Sequence, residues 1–126
     1  MRLLRLARRD EAAFDALLAA PQVPASVALF HAQQAVEKAL KALMSLHSLE
    51  FRRTHDLDEL AAQLADAGHD LGAPEPGLSR LTPYAVQYRY DDDAPQLLTG
   101  TQARAPVRSL LSWAEGQINS TPPAAQ

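Results

Sequence analysis

Apolar residues return at intervals of three and four along most of this chain, and no stretch alternates apolar with polar between turn pairs. That pattern admits helices and leaves nothing to build a sheet from, because a half-buried strand needs a period of two. β-Branched residues are sparse, and Ala and Leu, both strong helix formers, dominate. At 126 residues the chain holds one domain, large enough to bury a core without metal or disulfide staples. The expected fold class is all-α, an up-and-down four-helix bundle with an additional short helix. Residues 2–118 form its single domain and 119–126 a disordered tail.

Five helical segments are legible. The first covers about 2–20, with Leu3, Leu6, Ala7, Phe14, Leu17 and Leu18 near one stripe. Pro21 and Pro24 punctuate the chain before a long second helix, about 25–48, with Ser26 as its expected cap and Leu29, Val36, Leu40 and Leu43 as its core line. Asp56 followed by Glu59 is a capping-box pattern that opens the third helix, whose core face is Leu57, Leu60, Ala61 and Leu64 and whose end is Gly68. A fourth helix, about 78–89, is kinked or restarted by Pro83, and Ala73–Gly77 before it is a loop. The last, about 99–118, has Thr99 as cap, Gln102 at the boxed position and a bend at Pro106.

Charge and composition exclude several function classes. Twelve Lys and Arg against fifteen Asp and Glu give a net charge of −3, which disfavours RNA as a partner and general polyanion binding, since that takes many phosphate-neutralising cations, but leaves room for a local basic patch. No cysteine is present, so disulfides, thiolate metal sites and cysteine catalysis are out, and a reducing compartment fits. No apolar run approaches the roughly 20 residues of a membrane helix. The charges scattered through Met1–Arg9 do not make a signal peptide, so the expected location is the cytoplasm, with no membrane partner.

Motifs for chemistry are few. His31, His47, His55 and His69 show no i, i+4 pairing and no HExxH pattern, which argues against zinc; His47 and His69 read as surface residues near helix ends. His55 stands immediately before a helix cap and reads first as a packing or capping residue. The five glycines make no phosphate loop, and no serine sits in a G-x-S-x-G elbow. Two features remain. The second helix carries a polar line, Gln33, Gln34, Glu37, Lys38 and Lys41, which is either an ordinary solvated face or a polar groove or dimer surface. The run Tyr84–Asp93 gathers all three tyrosines, Tyr84, Tyr88 and Tyr90, around Arg89 and before three aspartates. An arginine so placed can hold phosphate while a tyrosine stacks on a base. It can equally be a helix end tied by an Arg–Asp ion pair.

Phe30-His31-Ala32-Gln33-Gln34-Ala35-Val36-Glu37-Lys38-Ala39-Leu40-Lys41-Ala42-Leu43 resembles the second-helix signature of HEPN domains (higher eukaryotes and prokaryotes nucleotide-binding). Thr54-His55-Asp56-Leu57 resembles the family's step into the third helix. Tyr88-Arg89-Tyr90-Asp91-Asp92 resembles its R-Y-P-D step, with Asp91 in place of the usual proline. The three motifs stand in the family's order across about residues 10–118.

The resemblance implies a bundle of four or five helices, often dimeric, paired with a minimal nucleotidyltransferase in modules that resemble toxin–antitoxin systems. It also implies a nucleotide ligand, such as ATP. The ribonucleases of the family carry Arg, four to six residues, then His near the C-terminal helices. No histidine follows His69 here, and Arg52 and Arg53 stand too close to His55, so that spacing is missing. The expected function is therefore a non-catalytic binding module with no catalytic residue and no metal. Its ligand-binding residues are Gln34, Lys38, Lys41, His55, Tyr84, Tyr88, Arg89, Tyr90 and Asp92. The alternative is a divergent ribonuclease toxin that brings His55 and Arg89 together from different helices. In a third, architectural, reading the same polar residues tie helices to one another.

Overall fold

The computed structural model describes residues 2–50, 54, 56–69, 78–85 and 99–120. The described residues form four α-helices and one 3₁₀ helix: α1 (Arg2–Leu18), α2 (Ala25–Leu46), α3 (Leu57–Asp66), the 3₁₀ helix (Leu78–Ala85) and α4 (Gly100–Ser120). The all-α bundle is as expected, and no strand occurs among the described residues.

α2 is the axis. Thirteen of its 22 residues are buried, far more than the single stripe of a peripheral helix, and every other element packs on it. Alanines at 32, 35, 39 and 42 are fully buried and let neighbouring helices come close, while Leu29, Val36, Leu40, Leu43 and Met44 fill the space between. α1 contributes Ala7 and Phe14, α3 contributes Leu57, Leu60 and Leu64, and α4 contributes Ala103, Val107, Leu110, Leu111 and Ala114. α1 and α4 also pack on each other, at a contact so close that a Cβ on Gly100 would fall 2.1 Å from Cδ1 of Leu18. Arg8 bridges the same two helices through Glu115 and also bonds Glu11 on its own helix. Burial works against the charge on Arg8, but the hydrogen bonds to Glu115 and Glu11 outweigh it and hold its pKa above the ordinary value.

Local chemistry sets the helix ends. The Asp56 carboxylate accepts from the backbone N–H of Asp58 at 3.0 Å and of Glu59 at 3.3 Å, while the Asp56 N–H donates to Oγ1 of Thr54. At α4 the box is reciprocal: Gln102 N–H donates to Thr99 Oγ1 at 3.0 Å, and Thr99 N–H donates to Gln102 Oε1 at 2.9 Å. α3 closes in a Schellman motif with Gly68 at φ +87°, its N–H bonded to Ala65 and that of His69 to Leu64.

Three expectations are corrected. Ser26 does not cap α2: Pro24 holds that position with no side-chain bond, and the Ser26 hydroxyl is buried inside the helix. The segment from 78 is a 3₁₀ helix through Ala85, because Pro83 has no N–H for an α-helical bond and crowds the preceding turn; residues 86–89 lie outside the described residues. α4 runs through Pro106 and on to Ser120, taking Asn119 and Ser120 from the expected tail.

α2 also ends in a Schellman motif, but with Ser48 in the left-handed position at φ 58°. A non-glycine residue there is strained by about 1–2 kcal/mol, part of which glycine gives back through its freer unfolded chain. Ser48→Gly is expected to raise stability by about 0.5–1 kcal/mol, measured as a shifted urea midpoint at constant m-value.

The two Schellman ends place His47 and His69 face to face, with ring centroids 3.5 Å apart and planes 6° from parallel. Burial pushes the pKa of His47 below its usual 6.5, and the charge of His69 adds to the effect. The folded state therefore binds the proton less readily than the unfolded state. His47's contribution to stability is full above about pH 6.5 and is lost as pH falls from there through the lowered folded value. Wild type is expected to lose stability between pH 7.5 and 5.5, and His47→Gln to lose less, in urea unfolding at both values.

Candidate functional site

The polar line of α2 is not a solvated face. Gln33 is fully buried and Glu37 is 5% exposed, because the line lies at the edge of the surface that the other elements cover. Gln33, Glu37 and Lys41 stand four apart and so are neighbours on the helix, and Gln34 joins the series through the adjacent Gln33. Gln34 Nε2 donates to Gln33 Oε1 at 2.7 Å, Gln33 Nε2 donates to Glu37 Oε1 at 2.9 Å, and Lys41 Nζ donates to Glu37 Oε2 at 3.1 Å. Both carboxylate oxygens of Glu37 are thereby engaged. The chain runs from the half-buried amide of Gln34, through two buried groups, to the half-buried ammonium of Lys41. It therefore presents a hydrogen-bonding amide and a cation at its two margins, with a carboxylate fixed between them.

Lys38 points elsewhere. Its ammonium bonds Oδ2 of Asp10 on α1, and Oδ1 of the same aspartate lies 3.0 Å from Nδ1 of His31. Asp10 thus ties α1 to two residues of the family-like segment. Its partners could not be foreseen from spacing, because they lie 21 and 28 residues away. Gln33, by contrast, could have been added to the site from sequence: it stands four residues before Glu37, where a side-chain bond along the helix is expected.

Tyr84 is one of the predicted ligand residues. It is 2% exposed and packs in the core cluster with Leu81, so its ring has no free face for a base. The 3₁₀ helix that carries it lies against α2 and α3, and Thr82 of the same helix accepts from the N–H of Leu57 at 3.2 Å. Of the other predicted ligand residues, Gln34 and Lys41 share the α2 chain, and Lys38 is held to one side. His55, Tyr88, Arg89, Tyr90 and Asp92 lie outside the described residues. Around His55, Thr54 and Asp56 cap α3 and Leu57 enters the core, so three of the four residues of that motif have structural work.

Among the described residues no three His, Asp or Glu side chains group as metal ligands, and no helix is long and apolar enough to cross a membrane. No curated protein and no solved structure matched the chain. A family model did: the HEPN domain, over residues 1–117, which takes in all three ordered motifs and, but for the last three residues of α4, every helix that packs on α2. The chain belongs to the HEPN domain family.

Proposed function

We propose that this HEPN-family chain is a non-catalytic, cytoplasmic and dimeric binding module. Its polar groove accepts a nucleotide such as ATP, a minimal nucleotidyltransferase partner, or both, in a toxin–antitoxin-like pairing. The observation that carries this reading is the polar chain Gln34–Gln33–Glu37–Lys41. Apolar side chains of similar volume in place of a buried ion pair are often neutral or stabilising, so burial of this pair does not by itself point to a structural role. Their margins offer an amide for a base edge and a cation for phosphate. Arg89 supplies a phosphate contact, Tyr88 or Tyr90 a stacking face, and His55 and Asp92 the rim of the groove; Tyr84 supports the floor from within. The missing Arg-x(4–6)-His spacing favours binding over RNA cleavage.

A thermal-shift titration with ATP, GTP and their monophosphates on wild type and Arg89→Ala tests this. A ligand specific for the folded state adds about 2.7 kcal/mol of stability at 100 times Kd. A saturable shift that Arg89→Ala abolishes is expected. No shift at millimolar nucleotide, together with no co-purification of a co-expressed minimal nucleotidyltransferase, would refute the reading.

A further inference from the structure

The outward pole of α1 is built from arginine and alanine alone. Its five exposed residues are Arg2, Arg5, Arg9, Ala12 and Ala16, on one line opposite the buried Leu4, Ala7 and Phe14. Every acid of the helix faces elsewhere. Asp10 holds Lys38 and His31 of α2, Glu11 holds Arg8, and Asp15 lies 3.4 Å from both Arg104 and Arg108 of α4. Arg8 is likewise engaged, by Glu11 and Glu115. Among the described residues no acid pairs with Arg2, Arg5 or Arg9. Arg2 and Arg5 also stand at the positive end of the helix dipole, where cations are unfavourable for the helix itself. Three unpaired guanidinium groups, spread over about 10 Å at 1.5 Å per residue, are therefore left to solvent at some cost to α1.

We infer that this ridge is a docking surface for duplex DNA, held through its phosphate backbone without regard to sequence. A protein partner would need an apolar or aromatic centre, and a membrane an apolar wedge. Among its fully exposed residues the ridge offers only alanine beside its charges, because Phe14 is turned into the core at 1% exposure and Leu3 and Leu6 are partly covered. A single strand is gripped by aromatic stacking platforms, which this face also lacks. Backbone contact needs cations alone, and arginine meets phosphate with two parallel donors. A helix of about 10–12 Å diameter is comparable with the B-DNA major groove, about 12 Å wide, between two phosphate walls. The overall charge of −3 does not oppose this, since charges beyond about 10 Å are screened at 0.1 M salt. The ridge is separate from the α2 polar chain and does not depend on the nucleotide reading.

Fluorescence anisotropy of the full chain with a labelled mixed-sequence duplex tests it, on wild type, the triple variant Arg2→Gln/Arg5→Gln/Arg9→Gln, and the control Arg104→Gln/Arg108→Gln. Three phosphate contacts at a slope of about −0.9 each predict a roughly fortyfold loss of affinity between 50 and 200 mM salt. The triple variant, with an unchanged circular dichroism spectrum and its own nucleotide thermal shift recorded, is expected to bind roughly tenfold or more weakly at 50 mM, and the control as wild type. The inference is overturned by any of four results: no duplex binding at 50 mM salt, equal binding by the triple variant, tighter binding of a single strand of the same length, or competition by polyglutamate at equal charge, which would mark an acidic protein partner.

Discussion

Glu37→Ala is expected to cost about 3–5 kcal/mol of stability, more than a surface ion pair could account for. The carboxylate is 5% exposed and holds the Gln33 amide at 2.9 Å and the Lys41 ammonium at 3.1 Å. Its removal breaks the bond from the fully buried Gln33 amide and the ion pair with Lys41. The hole in α2 adds to the loss, because the central helix has no freedom to close it. Glu37→Gln keeps volume and one acceptor and should fall between the two. Replacing Glu37 by Leu together with Lys41 by Met should recover much of the loss, since both charges of this pair are then removed together. Urea midpoints at constant m-value measure all three. If the double replacement is as stable as wild type yet loses the nucleotide shift, the polar chain serves binding rather than folding. If Glu37→Ala costs under about 1 kcal/mol, the pair is not buried in solution.

Tyr84→Ala is expected to cost a similar amount, about 3–5 kcal/mol, through the cavity left by a ring that is 2% exposed among α2, α3 and Leu81. The contrast with Tyr84→Phe carries the functional information. The phenylalanine variant retains the ring that fills the core, so it should stay folded and keep any nucleotide-dependent shift in melting temperature. A loss of that shift in a well-folded Tyr84→Phe protein would show that the hydroxyl reaches ligand, contrary to the core role assigned to the residue.

Tyr84 also shows where reading by family motif and reading by structure part. From sequence, Tyr84 and Tyr88 are neighbours on one helical face, and both were natural stacking candidates. The 3₁₀ winding around Pro83 sets the direction of Tyr84, and no α-helical periodicity predicts that direction. The α2 line shows the complementary case. Its residues and their i, i+4 spacing were evident, but whether they met solvent or core depended on how much of α2 the other helices cover. Because α2 is the axis, Gln33 and Glu37 are under cover while Gln34 and Lys41 remain at the margin.

The sequence by itself determined what short-range chemistry determines. The Thr99–Gln102 box, the Asp56 cap and the left-handed Gly68 are bonds between residues at most five apart, and residue type and spacing suffice to place them. The helical period is local in the same sense, and so the all-α class and the family motifs were legible. Only the tertiary structure decided the contacts between distant residues. These are Asp10 holding Lys38 and His31, His47 stacking on His69, Tyr84 in the core, and the acids of α1 turned inward so that three arginines face out. Each depends on which helix faces meet, and that is set by packing volume summed over the whole bundle rather than by any one segment.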